Sequence, residues 1–273
     1  MNSPQAIPSF DIQLAGLDRF ILELVEAYKA GNMKSWDNLA VKVNAYFTPE
    51  RMDYVEARAP GWQKMASYMK GVTLIHVMGV FLGLYMMPEY LSMTKEQQQM
   101  MKWVVLLHDV EKEPQKEKRD HLHAFRSAIA AARILPRLGF PTTPEYDLLL
   151  DDWSSYTRSA ITKQEDSPDQ VQDNLKLPEI LDGIGRMFGR STPPALIIKT
   201  ILLHLSIDMQ PWPPITPLTD EEVRMYVDHD LVPLLRAVNL GDGEGWNMFD
   251  EDRESLRNST LEAFKKVERL ISG

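Results

Sequence analysis

Along most of this chain, apolar residues recur at three- and four-residue intervals, the spacing that gathers them on one face of a helix. Phe20, Ile21, Leu24, Val25 and Tyr28 mark a first amphipathic helix, closed near Gly31. Ser35 is placed to cap a second, with Leu39, Val41, Val43 and Phe47 on a less regular apolar face. Over residues 61–87 apolar side chains crowd every face, which predicts one long buried helix carrying His76 and stopped near Pro88. Thr94, with Gln97 three residues on, has the form of a capping box and opens a helix ending at His108-Asp109. Residues 121–138 predict another helix, terminated by Gly139 and Pro141. Residues 145–161 form a fainter helix, and the charged, apolar-poor stretch 163–176 reads as an exposed loop. Pro178 and Pro194 suit the first turns of two more helices, the second running over 195–208. The proline-rich run 211–217 reads as a rigid extended connector, and helices over 220–238 and 251–271 finish the chain. No alternating run predicts a strand. The pattern is all-α, one domain over 1–273.

Composition narrows what such a bundle does. With 44% apolar residues the chain can build a sizeable core. A formal charge of -9 argues against nucleic acid or an anionic membrane as the main partner. A small phosphorylated molecule responds to local charge and stays compatible. Without cysteine, any metal must sit on imidazole and carboxylate. The first ten residues lack the basic-then-apolar pattern of a signal peptide, and the apolar run 72–87 is short and interrupted by His76 and glycines. The expectation is a soluble, cytoplasmic protein.

The histidines change the picture most. Five of the six lie on or beside apolar helices: His76, His108, His121, His123 and His204. The run Trp103-Val104-Val105-Leu106-Leu107 delivers His108 and Asp109 out of a hydrophobic frame. Such a polar end is expensive unless it is satisfied, and a divalent metal takes both groups as ligands. The bland alternatives are a helix-end cap for His108-Asp109 and a satisfied core histidine for His76. His204 stands one turn before Asp208, on the same helix face, and suits a ligand, a supporting residue or a core histidine equally. His121 and His123, about 200° apart on a helix, cannot both face one ion. Asp182 rivals Asp208 as a distant carboxylate. Trp153, Tyr156 and Trp212 suit a pocket wall or the core, and the methionines suit core filling.

Taken in order, His76, His108-Asp109 and Asp208 resemble the ligand pattern of the HD-domain superfamily of metal-dependent phosphohydrolases. His108-Asp109-Val110-Glu111-Lys112 looks like that family's frequent His-Asp-x-x-Lys, and His123-Ala124-Phe125-Arg126-Ser127-Ala128 like the segment that often follows. The resemblance spans about 69–210 and implies an HD-like helical core, with N-terminal helices over 11–60 and C-terminal helices over 219–272 as additions. It implies a divalent ion (Mn, Mg, Fe, Co, Ni or Zn) held by His76, His108, Asp109 and Asp208, with His123 and His204 as further candidates. His123 is preferred over His121, which is expected at the solvent or the pocket rim. The implied activity is hydrolysis of a phosphate ester or anhydride, such as a nucleotide, by metal-activated water. Asp109 sits among the catalytic groups, and Lys112 or Arg126 stabilises charge on phosphate.

Two other functions compete. Some relatives hold two irons and oxygenate small substrates through two extra histidines. Here those would be His123 and His204, the latter unusually close to Asp208. The third is a non-catalytic binding protein with a structural metal. The paired substitution His108→Ala, Asp109→Ala is expected to abolish metal binding while leaving most helicity by circular dichroism. Stoichiometric metal retained in that variant would overturn the assignment.

Overall fold

The structure is a computed structural model that describes residues 7–67, 71–113, 120, 122–163, 170–207 and 216–273. It is all-α apart from one small sheet. The chain opens with α1 (Phe10–Gln13), α2 (Ala15–Lys29), α3 (Trp36–Tyr46), α4 (Pro49–Glu56) and α5 (Trp62–Ser67). The central helix α6 (Val72–Met86) follows, then the short α7 (Pro88–Leu91), α8 (Lys95–Leu107) and α9 (His123–Ile134). Next come α10 (Tyr146–Ser159) and an antiparallel pair of strands, β1 (Ile161–Lys163) and β2 (Gln170–Gln172). The last elements are α11 (Leu177–Phe188), α12 (Pro193–Leu203), α13 (Asp220–Tyr226), α14 (Leu231–Asn247) and α15 (Arg253–Ser272). None of these helices is long and apolar enough to cross a membrane.

Why α6 lies at the centre follows from its composition. It is buried from Thr73 to Leu84 except at Ile75, and a helix apolar on every face must be surrounded. α2, α3, α5, α8 and α14 surround it. α8 starts at the Thr94–Gln97 capping box and is buried from Met100 onward, so its C-terminus points into the interior. The predicted single helix over 61–87 is two helices. Gly71, at φ +82°, stands in a left-handed conformation that a continuous helix does not contain, and α6 begins after it.

Two further expectations change. The stretch 163–176 is not simply an exposed loop: Gln172 and Asn174 are buried. The Gln172 side-chain amide donates to Asn174 Oδ1 and Ser206 Oγ, and that of Asn174 donates to the carbonyl of Thr216. Those bonds satisfy amides that would otherwise have to stay wet. The helix predicted over 220–238 is replaced by α13 and a separate α14, which continues through Gly241, Gly243 and Gly245 to Asn247.

Gly241 and Gly245 are tolerated because α14 crosses α6 at close range. A Cβ on Gly245 would stand 2.4 Å from Val80 Cγ2 and 2.8 Å from the His76 ring. On α6, a Cβ on Gly83 would stand 2.5 Å from Glu244 Cβ, and one on Gly79 3.3 Å from Gly245 Cα. Glycine at i and i+4 on both helices removes side chains along the crossing. Of the C-terminal helices expected as an addition, α14 thus packs on the centre of the bundle. Gly245→Ala is expected to lower stability by about 1–3 kcal/mol through overpacking, roughly 2–10 °C in Tm. Gly243, with open space at its Cβ, gives the opposite sign: Gly243→Ala should stabilise by up to about 1 kcal/mol. Equal effects at the two positions in thermal unfolding would refute the close-crossing account.

Candidate metal centre

Six side chains from five elements converge between α6, α8, α9, α12 and α14. His76 comes from the first half of α6, His108 caps the C-terminus of α8, and Asp109 follows it. His123 is the first residue of α9, His204 caps the C-terminus of α12, and Asp242 lies on α14. They form two triads, His76/His108/Asp242 and Asp109/His123/His204, each with its donor atoms within 4.8 Å of one another. All are buried except Asp242, whose side chain is 22% exposed.

Three of the histidines are held in the same way. The Nδ1–H of His108 donates to the carbonyl of Val105 at 2.9 Å, that of His204 to Ile201 at 2.7 Å, and that of His123 to Asp120 at 2.5 Å. A carbonyl can only accept, so each ring carries its proton on Nδ1 and turns the Nε2 lone pair inward. Among the described residues, those three Nε2 atoms and Asp109 Oδ1 are buried without a hydrogen-bond partner. Each orphan of this kind costs roughly 1–3 kcal/mol, and four together approach the whole stability of an ordinary domain. Cations within the two triads would remove that cost.

The spacings fit an ion. Bonds of about 2.0–2.1 Å to a common ion put neighbouring ligand atoms about 3–3.5 Å apart. His76 Nε2 is 2.9 Å from Asp242 Oδ1, His108 Nε2 is 3.6 Å from it, and His123 Nε2 is 2.7 Å from Asp109 Oδ1. That last pair is close yet not aligned as a hydrogen bond, as two ligands of one ion are. Asp109 stands between the triads, Oδ1 toward His123 and Oδ2 3.5 Å from His76 Nε2. The donor set, four imidazoles and two carboxylates, suits a divalent transition metal or manganese.

The charges are arranged for ligation. Burial pushes the Asp109 carboxyl up, but Lys112, His108 and His123 together hold it well below the usual carboxylate range. Burial likewise opposes ionisation of Asp242, and the nearness of His108 and His76, with Lys112, prevails and holds it low. His108 loses basicity by burial and gains more from Asp109 and Asp242, so its pKa rises. Burial, with His123 and His108 nearby, pulls His204 down to about 3, which keeps it neutral and available as a ligand. Lys112 Nζ stands 2.8 Å from Asp109 Oδ2, and these carboxylates raise its pKa against the effect of burial.

Of the residues singled out from the sequence, His76, His108, Asp109, His123, His204 and Lys112 are here. Asp208, His121 and Trp212 lie outside the described residues. The carboxylate that meets His76 is Asp242, and the sequence reading missed it. Its signal was the run Gly241-x-Gly243-x-Gly245, which reads as a helix end until Gly79 and Gly83 are set against it. Arg126 does not face the centre. Its guanidinium pairs with Asp120 and the Glu111 carbonyl, bracing the turn that presents His123, because Asp120 is the nearer anion. Asp182 pairs with Arg190 at the surface, and Trp153 is a core residue bonded to the Ile180 carbonyl. His229 is exposed and apart. Comparison of the chain with protein-family models, curated proteins and solved structures gives no match in any of the three.

The depressed His204 pKa has a measurable consequence in metal-free protein. Unfolded, the ring titrates near 6.5. Between that value and about 3 the unfolded chain binds the extra proton, so stability falls as pH falls. His108 acts in the opposite sense, so the comparison must be between proteins. The His204→Leu variant is expected to lose less stability on acidification from pH 6.5 to 4.5, by up to about 1.4 kcal/mol per pH unit. Parallel denaturation-versus-pH curves for the two proteins would contradict this account of His204.

Proposed function

We propose that this chain is a metal-dependent phosphohydrolase of the HD-domain type, with two divalent ions in the two triads and a phosphate ester or anhydride as substrate. One observation carries the reading: six inward donors in two triads, with the Asp109 carboxylate between them. His76, His108 and Asp109 keep the order of that family's motif, and Asp242 takes the place the sequence reading gave to Asp208. When bound, the ions supply Lewis acidity toward a phosphoryl oxygen and lower the pKa of a water at an open position.

The chain's own residues do the rest. His108, His123 and His204, pinned by their carbonyls, hold Nε2 without rotational freedom. Lys112, buried along most of its length, keeps one cation beside the site. It is placed to neutralise charge that develops on phosphate. Asp242 gives the centre its exposed edge, where an anionic ligand enters.

A second reading gains from the same geometry. Two-iron oxygenases of this superfamily use two additional histidines, and the objection here was the nearness of His204 to Asp208. With Asp242 as the last carboxylate that objection falls, since His123 and His204 share a triad with Asp109. The experiment is a metal and substrate panel on purified protein. Two Mn2+ or Co2+ per chain and turnover of a generic phosphomonoester, phosphodiester or nucleotide are expected. Lys112→Met is expected to reduce kcat by about 10²–10³ with metal content unchanged. Two irons with oxygen consumption and no phosphate turnover would transfer the proposal to the oxygenase reading. A metal-replete protein inactive in both assays would leave a structural metal only.

A further inference from the structure

His76 differs from its three partners. Among the described residues its Nδ1 is buried and has no hydrogen-bond partner, whereas the other three rings are pinned through Nδ1 to a carbonyl. Its Nε2 is hydrogen-bonded to Asp242 Oδ1 at 2.9 Å. An ion on Nε2 would replace that bond, so another restraint must then fix the ring plane, because a ligand ring free to turn about χ2 loses much of its affinity to entropy and misalignment. Besides His108 and Asp109 at the end of α8, three neighbours of that ring come from one face of α14. Asp242 Oδ1 meets Nε2 at 2.9 Å. Gly245, three residues on, lies against the Nδ1–Cε1 edge, where a Cβ would come within 2.8 Å of both atoms. Trp246, four residues from Asp242, lies flat on the ring, with centroids 4.1 Å apart and planes within 19°. A stacked indole restricts rotation of the imidazole about its own axis while leaving Nε2 clear.

We propose that Trp246 is the positioning residue of the His76 ligand, doing by stacking what a carbonyl does for His108, His123 and His204. The inference rests on the two-ion reading above. It makes the triads unequal. The Asp109/His123/His204 triad is oriented by main-chain acceptors and keeps its geometry with any residue at 246. The His76/His108/Asp242 triad depends on Trp246. Trp246 touches no reacting atom in this role. Lys112 Nζ, 5.4 Å from the indole centroid, links the same ring to the cation beside Asp109.

The test uses Co2+ as the probe on metal-free full-length protein, read by calorimetry, bound metal per chain and the visible absorption of bound Co2+. Wild type is expected to take up two ions. Trp246→Leu is expected to bind one as wild type does and the other at least about tenfold more weakly. Trp246→Phe, which restores a flat ring, is expected to recover most of that affinity, and His76→Ala to reproduce the leucine phenotype. Trp246 is only half-buried, and Trp246→Met keeps bulk without a ring face should the leucine variant not fold. Two ions bound by the leucine or methionine variant with wild-type affinity would overturn the role of Trp246 and leave the two-ion reading intact. Equal weakening of both ions, or no rescue by phenylalanine, would reduce Trp246 to general packing and also overturn it. Fewer than two ions in wild type would instead sink the two-ion reading itself.

Discussion

The crossing of α6 and α14 is the constraint on which the centre depends. A helix pair with ordinary side chains between its axes stands some 8–10 Å apart. Here glycines at 79 and 83 face α14, and glycines at 241 and 245 face α6, so side chains of ordinary size are missing along the contact. Asp242 reaches the His76 ring because the turns that flank it carry hydrogen where other helices carry carbon. The cost is helix propensity, roughly 1 kcal/mol for each glycine in a helix interior. α14 accepts three of them within five residues. Packing against a fully buried partner is what makes that sequence helical at all.

Around that crossing, the centre is an exercise in aiming imidazoles. Three of the four rings sit at helix ends: His108 and His204 at C-termini, His123 at an N-terminus. At a C-terminus the carbonyl three residues back is free of its helical partner, so it can take the Nδ1 proton. The same orphan acceptor that a helix end must satisfy therefore sets the tautomer of the ligand. His76, mid-helix, has no such acceptor, because the carbonyls near it are engaged in the helix. Mid-helix placement and the need for a different restraint are one fact.

How far the sequence foretold this differs by residue, for physical reasons. The all-α class was legible throughout, since amphipathic spacing is local. His108, Asp109, His76, His123 and His204 were legible because a polar group in an apolar frame is conspicuous in one dimension. Asp242 was not, because Gly241-Asp242-Gly243-Glu244-Gly245 resembles a turn, and only its match with Gly79 and Gly83, far away in the chain, makes it helix. Arg126 was read as facing phosphate on spacing alone. Its true partner, Asp120, is an anion six residues earlier in the chain, a pairing that no periodicity encodes. The break in the predicted 61–87 helix is of the same kind, since the left-handed φ of Gly71 is a choice that glycine permits but does not dictate.

Net charge and local charge part company in this protein, and the distinction bears on which substrate the centre suits. The chain carries -9 overall, yet its buried polar cluster holds two carboxylates against four imidazoles and Lys112. Two divalent ions would turn that interior net positive, beside Asp242, the one of the six donors whose side chain is partly exposed. A field of that sign and confinement acts over a few ångströms and is screened beyond about 8–10 Å at physiological salt. With the proposed ions bound, it would favour a compact anion over a polyanion that must first approach an acidic surface. Under the proposed function, a phosphomonoester or small nucleotide would meet that condition better than a nucleic-acid duplex. The same argument weighs on the oxygenase alternative, because a neutral substrate would gain nothing from Lys112, which is held charged at 2.8 Å from Asp109 against the cost of burial.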